Sequence, residues 1–491
     1  MVRVSTSDVM ARSGVKFGTS GARGLVTDLT DLVAYVYTTA FLSHLRASGQ
    51  LGTARSVTIA GDLRPSTPRI LRAVGRAVTD FGLSVDHAGE VPSPAAMLYA
   101  VAQGWPSIMV TGSHIPDDRN GIKFNGPKGE ITKRDEQGIR EQSLELPPIF
   151  DEKGYFTPAE TRELPPANPS ARAHYKRRFV SAFPRALAGL RVGVYGHSAV
   201  GRELMVEVLG ELGAEVVRLG WSERFVPVDT EAIRPEDREL AAGWAREHGL
   251  FAIVSTDGDS DRPLVADERG IFLRGDTACL LVARHLGAGS VAAPVSCNTA
   301  LERAGWFKVA RTRIGSPFVI EAMQAAVVEG ATRSVGYEAN GGFLQATPLD
   351  VPGGGELAPL PTRDAIVVHL SLLLAALAKK TTLSRLLEEL PQRFTDSDRL
   401  EHFPTERGQA LVSELTTSGK PGIARTFPEL GAPKAFDTVD GLRVEFESGE
   451  VLHVRASGNA PELRCYVEAS TEARAKELLR YGLGVLAARR G

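Results

Sequence analysis

The feature that most constrains the fold is a pattern that returns three times: an apolar strand, a helix, a second strand, and then a further strand that runs directly into a polar loop. In the first round Val57-Thr58-Ile59-Ala60-Gly61 reads as a buried strand ending in Asp62-Leu63-Arg64-Pro65, with a helix from Pro68 to Phe81. Ser84 to Gly89 reads as the next strand, Pro94 to Val101 as a short helix, and Ser107-Ile108-Met109-Val110 as a strand entering Thr111. The second round opens at Leu190 to Tyr195, continues through a helix from Gly201 to Leu212 and a strand at Glu215 to Leu219, and ends in Phe251 to Ser255. The third takes Ser290 to Val295, Ala310 to Ile314, a helix from Phe318 to Glu329, and Ser334 to Glu338. Alternating strands and helices predict sheets that are mostly parallel or mixed. Three copies of one α/β unit are therefore expected, related by pattern and not by repeated sequence.

A different grammar begins after a break near Pro391-Gln392. Gly441 to Phe446, Glu450 to Arg455 and Arg464 to Ala469 read as three strands, with a terminal helix from Thr471 to Ala488, which predicts a smaller α+β domain. The Pro-, Glu- and Thr-rich segment from Pro147 to Pro169 reads as a linker. At 491 residues the chain exceeds what one core supports, since domains run to roughly 100 to 150 residues. The expected division is 1–148, 165–284, 285–392 and 400–491.

A net charge of −2 supplies no global field for nucleic acid or an anionic membrane, so an anion must be met by a local cluster; a small ligand is the expected partner. Cys279, Cys297 and Cys465 are odd in number and far apart, against a disulfide framework or thiolate zinc site and in favour of a reducing cytoplasm. Met1 to Asp8 carry no apolar signal core, and the most apolar run, Ile366 to Ala378, is too short to span a bilayer. Neither export nor a membrane partner is expected, and the chain is expected to be a monomer or a homodimer.

Asp257, Asp259 and Asp261 stand at i, i+2 and i+4 after an apolar strand, a spacing that brings three hard oxygen ligands to one point and suits Mg²⁺. An EF-hand is excluded: Arg262 occupies its sixth position, where glycine is required, and a strand precedes the loop instead of a helix. An acidic surface turn explains the bare motif about as well; the position at a strand end favours metal. Ser113, beside His114 and ahead of Asn120-Gly121-Ile122-Lys123, also comes after an apolar strand. Serine and glycine are ordinary turn residues, and no hydrolase triad or Gly-x-Ser-x-Gly elbow completes the site. If Ser113 works, phosphate is its better cargo. Glu338, ahead of Asn340-Gly341-Gly342, could accept hydrogen bonds from sugar hydroxyls, although a hairpin turn accounts for the motif by itself. Arg455, Ser457, Gly458, Asn459 and Arg464 together have the composition of a phosphate clamp.

With these segments located, the chain resembles the α-D-phosphohexomutase superfamily over nearly its whole length. Phe17 to Gly24 looks like that family's opening motif, Ser113 in Thr-Gly-Ser-His-Ile-Pro like its phosphoserine loop, Asp257 to Arg262 like its metal loop, Tyr337 to Gly342 like its sugar loop, and Arg455 to Arg464 like its phosphate loop. The resemblance implies three similar mixed-sheet α/β domains and a C-terminal α+β domain around a central cleft. It implies a phosphosugar mutase that shifts phosphate reversibly between C6 and C1 of a hexose, with mannose phosphates ahead of glucose phosphates and both ahead of glucosamine phosphates. Ser113 would carry the phosphoryl group and join Asp257, Asp259 and Asp261 in holding Mg²⁺, and a hexose 1,6-bisphosphate would serve as intermediate and activator. Arg262 would stabilise transferred charge, Lys123 with His114 would move protons, and Arg23 would help bind phosphate. Two departures stand out: Asn459-Ala460 where the family has Thr-Glu, and Glu338-Ala339-Asn340-Gly341-Gly342 where many members have Glu-x-Ser-Gly-His. The alternatives are a Mg²⁺-dependent sugar phosphatase using the same serine and an inactive sugar-phosphate sensor.

Overall fold

The computed structural model describes residues 2–18, 21–457 and 461–490. In the first unit Ser56–Gly61 is the central strand, paired in parallel with Ser84–Glu90 on one side and Ser107–Val110 on the other. Arg119–Gly126 joins Ser107–Val110 antiparallel, and Ala22–Leu25 and then Lys16–Phe17 extend the sheet beyond it. The apolar runs are buried on both faces, as parallel strands covered by helices must be. Helices Asp31–Ala47, Thr67–Asp80 and Ser93–Gln103 supply the cover, the first capped by the Thr30 hydroxyl accepting from the Val33 N–H.

The second sheet runs Glu215–Trp221, Arg191–His197, Ala252–Thr256, Pro263–Ala266, and the third runs Lys308–Thr312, Ser290–Pro294, Ser334–Tyr337, Phe343–Gln345. In both, the first three strands are parallel and the fourth turns back antiparallel. The order Ser84–Glu90, Ser56–Gly61, Ser107–Val110, Arg119–Gly126 in the first sheet is the same. Three units therefore share one topology, and in each the turn between the last parallel strand and the returning strand carries a polar loop. Those three loops are Thr111 to Asp118, Asp257 to Arg262, and Glu338 to Gly342.

The C-terminal region is a five-stranded antiparallel sheet in the order Phe394–Leu400, Leu463–Ala469, Val451–Ala456, Leu442–Phe446, Pro433–Asp437. The edge strands Phe394–Leu400 and Pro433–Asp437 and the helical stretch Thr405–Thr426 join the three strands and one helix read from the sequence. Phe394–Leu400 is nearly all polar, and Thr405–Thr426 is broken at Gly419, whose φ is 58°; neither shows a clean period.

The segment read as a linker behaves differently from expectation. Residues 147–169 pack on the first unit: Phe150 bridges Phe156, Arg76 reaches Glu160, and the Leu164 side chain abuts Gly75. The apolar run becomes the helix Ala365–Ala378, buried on nearly every side against Gly275–His285 and Pro263–Ala266, as its all-round apolar surface demands. No helix among the described residues is long and apolar enough to cross a membrane.

Candidate active site

The loop after Ser107–Val110 is wound around a buried guanidinium. Arg64 donates through one terminal nitrogen to the Ser113 and Ile115 carbonyls at 2.9 and 2.5 Å, and through the other to those of Pro116 and Arg119 at 2.7 and 3.0 Å. Its Nε donates to Asp62 Oδ2, which also accepts from the Thr111 hydroxyl, and the Phe225 ring lies 4.1 Å from the guanidinium carbon. A side chain at Gly112 would meet this group at 2.6 Å, so the loop can close around it only with glycine there. Held in this way, Ser113 sits at φ 58°, a left-handed conformation that costs a non-glycine residue about 1–3 kcal/mol and persists only when its surroundings fix it.

That conformation aims Ser113 Oγ across the interface between units, where it donates to Asp257 Oδ2 at 2.6 Å. Ser113, Asp257 and Asp259 are fully buried, and Asp261 nearly so. The three aspartates bring one oxygen each to within 4.8 Å of one another. Gly258, between the first two, has no room for a Cβ, which would stand 2.7 Å from the Ser113 carbonyl. Ser93 donates through its N–H to the Asp259 carbonyl and through its hydroxyl to Asp259 Oδ2, fixing the loop from the first unit.

Cations converge on the same point. Lys123 Nζ donates to Asp259 Oδ2 at 2.5 Å and to Asp261 Oδ2 at 2.8 Å. Burial works against its charge, yet the two carboxylates outweigh burial and hold the ammonium above its ordinary range. Burial and one another's charge push the aspartates up, and Asp257 stays well above the usual carboxylate range. For Asp259 and Asp261 burial is overcome, by Lys123 in the first and by Arg363, Lys123 and Arg262 in the second, and both are lowered. Arg262 donates to His114 Nδ1 at 2.8 Å, and burial together with Arg262 pushes His114 down to about 3, leaving it a neutral acceptor at pH 7. Arg23, on Ala22–Leu25, faces Arg262 and Arg363; burial and these two cations lower it to about 10, and its Nε has no hydrogen-bond partner among the described residues.

The donor set fits a hard divalent cation. Lys123 takes the Oδ2 atoms of Asp259 and Asp261, while their Oδ1 atoms are buried with no hydrogen-bond partner among the described residues, Arg262 Nε lying 3.8 Å from that of Asp261. Three carboxylates and a serine oxygen are ligands that Mg²⁺ prefers.

In the third unit's loop, Glu338 is buried and its Oε2 accepts from Arg363 at 3.1 Å. Asn340 serves the turn: its Oδ1 accepts from the Gly342 N–H, and its carbonyl accepts from the Thr230 hydroxyl. In the C-terminal sheet Arg455 and Arg464 lie opposite each other on neighbouring strands. Arg455 Nε donates to Asp440 at 2.9 Å, Arg464 to Glu462 at 3.3 Å, and the Ser457 N–H to the Glu462 carbonyl. Gly458 and Asn459 lie outside the described residues. Asp440 also accepts from the Ile314 N–H, tying this sheet to the third unit beside a cleft of about 280 Å³ lined by Arg313 and Arg455.

Arg64, Ser93 and Arg363 were not singled out from the sequence. A charged pair, Arg363-Asp364, directly ahead of the most apolar stretch was the signal for the last. Glu231 was not singled out either; its side chain is exposed and close enough to Arg262, Asp229 and Glu338 to feel their charge.

Four profiles of the phosphoglucomutase/phosphomannomutase family match the chain: α/β/α domain I over residues 14–147, domain II over 173–270, domain III over 274–394 and the C-terminal domain over 393–480. A phosphomannomutase of Sinorhizobium fredii (strain NBRC 101917 / NGR234) is 43% identical over 476 residues, 96% of this chain and 99% of that one. A phosphomannomutase of Salmonella muenchen is 40% identical over 470 residues, 95% of each. The crystal structure of a phosphoglucomutase/phosphomannomutase family protein from Burkholderia thailandensis shares the fold with a TM-score of 0.73 at 22% identity, covering 96% of this chain and 97% of that one.

Proposed function

The chain belongs to the phosphoglucomutase/phosphomannomutase family, and from that premise we propose that it is a phosphosugar mutase, moving phosphate reversibly between C6 and C1 of a hexose, with mannose phosphate as its first substrate. The observation that carries this reading is Ser113: a strained, fully buried serine whose Oγ lies 2.6 Å from one of three clustered aspartates, with Lys123, Arg262, Arg23 and Arg363 around them. A hydroxyl, a carboxylate cluster and several cations meeting at one point are what phosphoryl transfer requires, because its catalysis is positioning and charge neutralisation.

In the forward half-reaction the bond between phosphorus and Ser113 Oγ breaks while one forms to a sugar hydroxyl oxygen. The proton of that hydroxyl leaves for a base of the site, and the serine oxygen is left to be rephosphorylated from the other end of the bisphosphate. Asp257, Asp259, Asp261 and the serine oxygen would hold Mg²⁺, which when bound supplies Lewis-acid polarisation of the phosphoryl oxygens. Arg262 and Arg23 would face the transferred group, and Arg23 Nε, buried without a hydrogen-bond partner among the described residues, is a donor that a phosphate oxygen would satisfy. Lys123, which holds a proton at neutral pH, would exchange it with the sugar hydroxyl, with His114 beside it as a neutral partner of Arg262. Glu338 would orient the sugar hydroxyls, with Asn340 shaping its loop, and Arg455, Ser457 and Arg464, together with Gly458 and Asn459, would grip the phosphate that stays. Full burial of Ser113 supports a mutase over a phosphatase, because water must be kept from the phosphoenzyme. The proposal includes a cytoplasmic location, supported by three buried free cysteines.

Phosphorus NMR of the protein with Mg²⁺, a trace of glucose 1,6-bisphosphate, and mannose 1-phosphate or glucose 1-phosphate in parallel tubes tests the reading. Growth of a hexose 6-phosphate signal, faster from mannose, is expected; inorganic phosphate growing instead would assign a phosphatase, and a faster glucose reaction would reverse the order of substrates.

A further inference from the structure

We propose that Arg363 is a positioning residue for the sugar: it locks the Glu338 carboxylate to the Asp-rich loop, in space that a side chain at position 342 would otherwise fill. This rests on the mutase reading and names what that reading leaves open at Gly342. A Cβ built on Gly342 would stand 2.4 Å from Arg363 Cδ and 2.5 Å from its Cγ. Glycine at 342 and the path of Arg363 are therefore one arrangement, and any side chain at 342 must displace the arginine. Position 342 itself carries no side chain, and the cation beside it comes from a different segment.

The placement of Arg363 goes beyond what packing needs. Its Nε donates to Asp261 Oδ2 at 3.0 Å and a terminal nitrogen to Glu338 Oε2 at 3.1 Å, so one guanidinium spans the loops of the second and third units. It is about 2% exposed. The chain on either side is pinned by other units. The Thr362 hydroxyl donates to Glu130 of the first unit, whose other oxygen accepts from Ser316. Asp364 accepts from the Tyr175 hydroxyl at 2.7 Å and from Arg178 at 3.2 Å, while its N–H donates to the Phe343 carbonyl. Residues 362–364 are thus immobilised from three directions, the preorganisation that a group setting another group's geometry needs. A guanidinium is also permanently charged and planar, so it holds two carboxylates at a fixed angle without titrating, which an imidazole does not.

Calorimetric titration of mannose 6-phosphate into the full chain, wild type and variants, reads the positioning directly, and turnover is followed in parallel. Arg363→Met and Gly342→Ala are each expected to weaken binding by about tenfold or more, with Arg363→Lys between them and the wild type. Phosphorylation of Ser113 at saturating glucose 1,6-bisphosphate, read by phosphorus NMR, serves as the measure of an intact metal-loop side. Gly342→Ala keeps every charge and presses hardest on the arginine, with Asn340 Oδ1 the next contact at 3.0 Å, so it carries the test if Arg363→Met fails to fold. Unchanged affinity in Gly342→Ala and Arg363→Lys would overturn the inference. So would an equal loss of affinity and Ser113 phosphorylation in both, because that marks general damage. Tight binding by the wild type without turnover would sink the mutase reading while leaving the Arg363 comparison readable.

Discussion

Two charged regions of this protein are built on opposite plans. Around Ser113 the ion pairs are buried: Lys123 with Asp259 and Asp261, and Arg363 with Asp261, cross between units, and Arg363 with Glu338 lies within the third, all with side chains under 10% exposed. In the C-terminal sheet Arg455 and Arg464 are 23% and 39% exposed, and each rests on one carboxylate of its own sheet. Buried pairs are costly to form and costly to break, so they persist in one geometry; half-exposed pairs are worth little and exchange partners readily. The first plan suits a site where atoms must be held for chemistry. The second suits a clamp that gives up Asp440 and Glu462 when a phosphate arrives.

If the contrast is right, damage at the first region should remove turnover and damage at the second should weaken binding. Ser113→Ala and Asp259→Asn are expected to lower kcat by about a thousandfold or more, with sugar-phosphate affinity held within a few-fold for Ser113→Ala. For Asp259→Asn the Mg²⁺ dependence should weaken as well. Steady-state kinetics with a magnesium titration decides this; near-normal turnover in Ser113→Ala would break the comparison at its strongest point.

Arg64 sharpens the comparison on the stability side. Four carbonyls and Asp62 depend on one guanidinium, so Arg64→Met should cost about 3 kcal/mol or more, the scale for removing one partner of a buried pair. Turnover should fall with it as Ser113 relaxes from its left-handed conformation. Urea unfolding beside kinetics reads both, and a stable, fully active Arg64→Met would mean that the loop holds its shape unaided.

Much of this was visible in the sequence because the three site loops are the same structural event repeated. A run such as Phe251-Ala252-Ile253-Val254-Ser255 announces a buried parallel strand, and the loop after such a strand lies at the sheet's carboxyl edge, where α/β proteins gather their ligands. The returning fourth strands, Pro263–Ala266 and Phe343–Gln345, are too short to show a period, and the mostly polar edge strand Phe394–Leu400 is kept in place by its pairing and by packing against the helix Glu472–Ala487. Arg64 and Arg363 stayed hidden for another reason. A buried arginine leaves no periodic trace, and its importance lies in partners 49 and 102 residues away.

The exchangeable clamp makes a more moderate prediction. Arg455→Ala should raise KM about tenfold or more while the phosphoserine level reached with glucose 1,6-bisphosphate is unchanged. Asp440→Asn should do less: the Arg455 pair it weakens is worth at most about 1 kcal/mol, and an amide there can still accept from the Ile314 N–H. A loss of phosphoserine in Arg455→Ala would place that arginine in the chemistry and erase the distinction between the regions.

The last effect concerns acid. The second unit buries His197, pushed down to about 4 by burial, and the helix Ala365–Ala378 buries His369, pushed down to about 3 for the same reason. Both are neutral in the fold and titrate near 6.5 when unfolded. Below pH 6.5 the unfolded chain therefore binds more protons than the native one, and stability must fall as pH falls from about 6.5 towards 4, by up to about 1.4 kcal/mol per pH unit for each histidine. Above pH 7 these two groups contribute no slope. Both His369 nitrogens lack hydrogen-bond partners among the described residues, so His369→Leu should cost little at pH 7.5 and remove about one proton from the acid slope. Urea midpoints between pH 4.5 and 7.5 for the two proteins measure the difference; identical slopes would show that His369 reaches water in the native state, and that the apolar helix beside the site is less tightly closed than its burial implies.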